Sequence, residues 1–271
     1  MPYYPLRTVE LPGAARGIYD QWLTSLDREL DRPDCDRNEL CRTILTDLFY
    51  PDLVGRDPKS LTLSTRVALY QMDPRNVTLE PEYYHEVNVE KYGRVKPLIW
   101  LWEMFDKSPL GENVELGIRF RRILAKRIFK SCGRNFKAFH FVKLSFGYNM
   151  EVGDGVVVHR HVLLDDRGGI RLGNGASISD FANVYSHTHD IQDPSLVKCP
   201  ATVIGEGVRI TYHATILAGV HVADDSMIGA MALANRNTEP HQVYVGIPAK
   251  AVRKKDMTIE RSPSSPDPFA E

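Results

Sequence analysis

The sequence has almost no charge imbalance: 34 Lys and Arg stand against 35 Asp and Glu in 271 residues, a formal net charge of -1. That balance removes any global attraction to nucleic acid, whose binding rests on an excess of cations set against phosphates. No apolar run approaches the roughly 20 residues that span a bilayer. The opening residues, Met1-Pro2-Tyr3-Tyr4-Pro5, lack the basic stretch and apolar run of a secretory signal, so the expected compartment is the cytoplasm. Cysteine is scarce as well. Cys35, Cys41, Cys132 and Cys199 are spread over both halves with no Cys-x-x-Cys spacing, and they read as reduced thiols, not as a disulfide framework or a zinc knuckle. With 43% apolar residues, the chain is globular and has one or two domains.

What is present is a period of six. Aliphatic residues recur at Val152, Val158, Leu164 and Ile170, then Leu172, Ile178 and Val184, and after a break at Ile204, Ile210, Ile216, Val222, Ile228 and Ala234. Four places after most of them stands a second small or apolar residue: Val156, Val162, Ala176, Ala182, Val208, Ala214, Val220, Ser226 and Ala232. A period of six suits neither an amphipathic helix nor a two-faced sheet, and it marks a parallel β-helix. Each hexapeptide supplies a short strand and a corner, three make a triangular coil, and coils stack at a strand spacing of roughly 4.8 Å. The two-residue offset at Gly168-Gly169 reads as a corner insertion. The larger break, 190–203 with Pro194 and Pro200, reads as a loop projecting between coils, and long connections in regular repeats are usually functional or mobile.

Ahead of the repeat, 1–131 reads as a helical and irregular region. Ile18, Trp22, Leu26 and Leu30 recur every four residues, which suits an amphipathic helix over 14–30. A second helix is expected after Asp36, ending before Pro51. Between 58 and 90, Pro74 and Pro81 interrupt β-prone runs such as 61–69, so irregular structure with one hairpin is expected. The run 98–105, with Trp100 and Trp102, is read as an apolar helix or strand packed on the β-helix or on a subunit boundary, ahead of an acceptor pocket or membrane surface. In 118–130, Arg119, Arg121, Arg122, Lys126, Arg127 and Lys130 alternate with apolar residues, and a solvated charged helix face is expected ahead of an anion or lipid site. The tail from Ser262, rich in Pro and Ser, is expected to be disordered.

The residues best suited to chemistry are Ser186-His187-Thr188-His189-Asp190, at the end of a coil and beside the projecting loop. Counting from Val184 puts Thr188 at the inward small position and leaves both His187 and His189 outward. Spacing alone does not choose between them.

Within 139–255 the segments SFGYNMEVGDG, YSHTHDIQDP, ATILAGVHVADDSMIGA and VYVGIPAKAVRKK stand in the order and spacing of the left-handed β-helix, or hexapeptide-repeat, acyltransferases. The chain most resembles their maltose, galactoside and nodulation-factor O-acetyltransferase branch. The resemblance implies a left-handed parallel β-helix over 132–255, preceded by the mostly helical region 1–131 and followed by the tail 256–271. It implies acetyl transfer from acetyl-CoA to a hydroxyl of a sugar or sugar-containing small molecule. It assigns the general base to His189, with His187 in reserve. It matches CoA-binding positions to Tyr212, Ala218, Gly219, Gly229, Ala230, Asn235, Arg236, Lys250 and Arg253. In that family the small Gly229-Ala230 pair lets the pantetheine arm lie against the backbone, and Arg236, Lys250 and Arg253 meet the phosphates. Asp165 and Asp166 match acceptor-side carboxylates. Active sites between adjacent β-helices imply a homotrimer, and no metal is expected.

The chain departs from the pattern at Arg209-Ile210-Thr211-Tyr212, where the family carries Trp and a small residue. It also departs at Val158-His159-Arg160-His161, where the sugar acetyltransferases carry an Asn-rich segment, and their short N-terminal helical domain is not recognisable. Two other readings follow. A non-catalytic hexapeptide scaffold is compatible with Arg209 and Tyr212. A zinc enzyme of the γ-carbonic anhydrase type would draw on His159, His161, His187, His189 and His213, three of them convergent.

Overall fold

The computed structural model describes residues 9–256 and Thr258. From Ser131 the chain winds as a triangular parallel solenoid whose three faces are sheets of five, seven and five strands. Cys132 pairs with Val152, Val152 with Leu172, Leu172 with Ile204 and Ile204 with Val222 on the first face, always in parallel. All thirteen aliphatic positions of the repeat are buried, and so are the nine small partners. They form the axial column that the six-residue period demands.

The corners explain why those residues turn the chain. At the first corner the left-handed positions are Asn135, Gly155, Gly175, Gly207, Asp225 and His241, mostly residue types for which this conformation is cheap. At the second corner they are Phe141, His161, Phe181, His213 and Met231. The first four stack, with ring centroids 4.9, 4.8 and 4.9 Å apart. That distance is the strand spacing itself, so a strained backbone is offset by a continuous ring ladder.

The N-terminal region consists of helices α1 (Gly13–Leu30), α2 (Arg37–Phe49), α3 (Leu63–Tyr70), α4 (Val89–Lys107) and α5 (Val114–Ile128). Helix α1 buries Leu23, Leu26 and Leu30 and leaves Ile18 exposed, a slight rotation from the expected stripe. Helix α2 starts where expected, with the Asp36 carboxylate accepting from the backbone N–H of Asn38 and Glu39. The run 61–69 does not form a hairpin. It becomes α3, capped by the Thr62 hydroxyl, because a β-prone run without a pairing partner yields to a local helix start. The two tryptophans lie on α4, buried among the helices, and Ile99 of the same helix reaches towards Gly147 of the first coil.

Helix α5 is the largest departure from expectation. Its basic face is only partly solvated: Lys126 and, just beyond the helix, Lys130 are exposed and Arg119 and Arg127 half-buried, but Arg121 and Arg122 are buried. Arg121 donates to the carbonyl of Ala138 at 3.2 Å and Arg122 to that of Phe136 at 2.8 Å. The first coil has no coil above it, so the carbonyls on its open edge need donors, and α5 supplies them. The Asp106 carboxylate balances Arg121 at 2.8 Å and accepts the Phe141 N–H at 2.7 Å. At the far end, Gln242–Val245 pairs in parallel with the preceding coil and then in antiparallel fashion with Lys250–Lys254. No helix among the described residues is long and apolar enough to cross a membrane. The expected disorder from Ser262 onward concerns residues outside those described.

Candidate active site

The third corner differs from the other two. In the first two coils it carries two extra residues, at 145–149 and 165–169. In the third coil the same corner expands into 186–201, and in the fourth it shrinks to a tight turn at 217–219. The projecting loop therefore grows from a stacked edge, and it starts four residues earlier than the sequence implied. Thr188 is exposed, not inward, because the hexapeptide register ends at the buried Ser186. Thr188 and His189 then form one arm of a small hairpin with Val197 and Lys198. The returning strand closes on the corner: a side chain at Gly168 would meet the Cys199 carbonyl, and one at Gly219 would meet Pro200.

Both histidines stand at the foot of this hairpin, their rings perpendicular and 5.3 Å apart. His187 is half-buried and its Nδ1–H donates to the Asp165 carboxylate. That carboxylate also accepts from the Ser145 hydroxyl at 2.8 Å. His189 is exposed, and its Nδ1–H donates to the Pro194 carbonyl at 2.6 Å. Carboxylate and carbonyl oxygens only accept, so each partner accepts the Nδ1–H, and in the neutral tautomer this selects, Nε2 carries the free lone pair.

The two aspartates expected on the acceptor side separate. Asp165 meets His187, whereas Asp166 turns inward and is fully buried, accepting the backbone N–H of Phe146 at 2.7 Å and of Asn149 at 3.1 Å. Burial pushes its carboxyl up to about 6 against the pull of these donors. Asp166 is a corner brace with no surface left for a ligand.

The residue after it faces outward again. Arg167 pairs with Glu86, and its guanidinium lies 3.8 Å over the Tyr84 ring. Cys199 Sγ donates to the same Glu86 carboxylate at 3.9 Å. Burial would raise the Glu86 carboxyl, but its own backbone N–H and Arg167 bring it below the ordinary range. Tyr84, Glu86 and Ser145 were not singled out from the sequence. Nothing in the local pattern of 80–88 points to the solenoid, and the only available hint was Arg167 following the Asp pair.

The positions matched to CoA divide between two edges. Ala218, Gly219, Asn235 and Arg236 lie on the third corner, below the histidine loop. Tyr212 and Ala230 lie on the second corner, where the Met231 N–H donates to the Tyr212 carbonyl at 2.9 Å. The third face separates the two sets. The turn between the last two strands folds over the start of the third face, just past the second corner, since Leu233 exchanges backbone bonds with Gly246 and Ala249 at 3.1 and 2.8 Å. Lys250 and Arg253 stand on the exposed final strand, which runs back along the second face opposite Val245 and Val243, apart from the first set. Gly229 needs another explanation. It is buried, and a Cβ there would sit 2.7 Å from Val245 Cγ1, so its smallness serves the packing of the next coil and not an open groove.

Among the described residues no three His, Cys, Asp or Glu side chains gather to hold a metal. His161 and His213 are separated by Phe181 in the ring ladder, and His159 stacks on Phe139 at 5.0 Å.

No family model matches the chain. Curated relatives do. The galactoside O-acetyltransferase of Escherichia coli (strain K12) is 25% identical over 157 residues, covering 52% of this chain and 77% of that protein. An acetyltransferase-named protein of Staphylococcus aureus (strain COL) is 27% identical over 143 residues, covering 51% and 72%. Among solved structures, the maltose O-acetyltransferase of Clostridium difficile 630 superposes with a TM-score of 0.56 at 22% identity, over 64% of this chain and 92% of that one. A galactoside acetyltransferase in complex with coenzyme A gives 0.56 at 23%, over 64% and 86%. A hexapeptide-repeat acetyltransferase of Vibrio cholerae complexed with acetyl coenzyme A gives 0.55 at 19%, over 68% and 99%. These structures share the left-handed β-helix.

Proposed function

We propose that this hexapeptide-repeat acetyltransferase carries an acetyl group from acetyl-CoA to a hydroxyl of a sugar or sugar-containing small molecule, with His189 as general base. Support for the donor comes from the neighbours that hold CoA or acetyl-CoA. Support for the acceptor class comes from the galactoside and maltose acetyltransferases. The observation that carries the role of His189 is its Nδ1 bond to Pro194, which leaves Nε2 basic at the foot of the loop.

In the reaction, the acceptor oxygen attacks the thioester carbonyl carbon as its proton passes to Nε2 of His189. The carbon–sulfur bond then breaks, and the imidazolium returns the proton to the departing thiolate. The imidazole that takes the proton in the first step returns it in the second, and such a base contributes ~10²–10⁴ in rate. Asn235, Arg236, Lys250 and Arg253 are exposed and suited to the amide and phosphate groups of CoA.

One observation favours a second assignment of the base. His187 has a carboxylate on Nδ1, the arrangement that orients and strengthens a catalytic imidazole. Release of free thiol with acetyl-CoA and a panel of sugars decides between them. His189→Ala is expected to lose at least about a hundredfold in kcat while His187→Ala loses less. The reverse order transfers the role to His187. No turnover, with acetyl-CoA unbound, leaves a non-catalytic scaffold.

A homotrimer completes the reading. The second corner exposes Phe141, Phe181 and Met231 in one stripe, a surface suited to cover by a neighbouring copy. A reaction that draws on acetyl-CoA also fits the cytoplasmic location expected from the sequence.

A further inference from the structure

The segment that joins α3 to α4 is not a spacer. Its last stretch, 84–88, lies against the stacked third corner and is fastened there at both ends. At one end, Tyr84 carries the Arg167 guanidinium on its ring face and sets its edge against Phe146, with centroids 6.4 Å apart. The Tyr84 hydroxyl donates to Glu80, which holds the ring in place. At the other end, the Asn88 N–H donates to the Tyr148 hydroxyl at 2.9 Å, on the corner one coil above. Between them Glu86 pairs with Arg167 and keeps 27% of its side chain exposed, whereas that of Arg167 is only 4% exposed.

Charge is what this arrangement controls. Around the histidines stand the carboxylates of Asp165 and Glu86 and, on the hairpin, the exposed Asp193 and the half-exposed Asp190. The cations are Arg167, consumed by Glu86, and the exposed Lys198 on the returning strand. The rim is net negative, and its one buried cation is masked. A phosphate or carboxylate on the acceptor near the reacting hydroxyl meets like charge, while a neutral polyol meets acceptor oxygens for its hydroxyl donors.

We infer that Tyr84 and Glu86, delivered by the N-terminal region, form the acceptor-side wall of the site, and that by masking Arg167 this wall selects a neutral hydroxyl-bearing acceptor over its phosphorylated counterpart. The inference rests on the acetyl-transfer reading above. Glu86 is a positioning residue: it acts on Arg167 and, through the closed corner, on the loop that bears His187 and His189.

The test compares wild type, Glu86→Gln and Glu86→Asp, with two readouts. The first is kcat/KM for neutral sugars of the acceptor panel against the corresponding sugar phosphates. Wild type is expected to favour the neutral member. Glu86→Gln, which unmasks Arg167, is expected to move the ratio at least about tenfold towards the phosphate, with acetyl-CoA affinity unchanged and Glu86→Asp restoring most of the preference. An unchanged ratio, or an equal loss with both acceptors, overturns the inference. The second readout is hydrogen exchange over 185–199, which needs no turnover. It is expected to rise in Glu86→Gln, and unchanged exchange overturns the wall whatever the activity. If exchange rises but wild type acetylates nothing in the panel, the wall stands and the acetyl-transfer reading falls.

Discussion

Adjacent residues of the third corner have opposite fates. Asp165 and Asp166 differ only in which side of the coil they meet, yet one holds an imidazole and the other braces two backbone turns. Because burial raises the Asp166 carboxyl to about 6, the folded protein binds a proton there that the unfolded chain, with a carboxyl near 4, has already lost. The stability this contributes is present below about pH 4 and disappears as pH rises through about 6. In denaturant titrations against Asp166→Asn, wild type is expected to lose roughly 1.4 kcal/mol for each pH step of one between those limits; a pH-independent difference contradicts it. At Gly229, an added methyl meets Val245 and the Tyr244 carbonyl. Gly229→Ala is expected to cost about 1–3 kcal/mol by overpacking, seen as a lowered melting temperature, while acetyl-CoA affinity of the folded protein changes little.

At the scale of elements, a β-helix has two open edges, and this one treats them differently. The upper edge is closed by α5, whose arginines donate to first-coil carbonyls, and by the Arg121–Asp106 pair beneath it. Removing one member of such a pair leaves the other charge buried, which costs about 3–5 kcal/mol. Arg121→Met is expected to show that loss in equilibrium unfolding. Adding Asp106→Leu recovers only part, since the Phe141 N–H then has no acceptor. The amphipathic pattern of 118–130 announced a helix but misreported its partner. A charged stripe beside an apolar one normally faces water, and nothing local records that carbonyls wait beneath it.

For the whole molecule, one continuous cluster joins Leu101, Phe105, Phe120 and Leu124 of the helices to Phe136, Ala138, Leu144 and Phe146 of the first coil. The division at residue 131 is therefore a change of architecture and not a seam in the core. A chain that starts at Ser131 bares that face and loses the arginine donors; it is expected to be insoluble or to unfold without cooperativity, which circular dichroism during heating reads. The exposed ring ladder bears on assembly. Light scattering after size exclusion is expected to give three times the chain mass, and Phe181→Asp is expected to reduce it to one.

The sequence by itself determined the solenoid, because a strict six-residue period has one simple way to bury its aliphatic column, and it marked the corner where the histidines sit, because the period breaks there. It left Asp165 as an acceptor-side carboxylate and Pro194 as a loop proline, neither of them tied to a histidine. Only the tertiary structure decided that Thr188 leaves the coil, that Asp166 is a brace, that Gly229 makes room for a neighbouring strand, and that Glu86 reaches Arg167 across 81 positions of chain. Periodicity records which residues face inward within one element. What an outward residue meets depends on elements distant in sequence, and no local pattern encodes that.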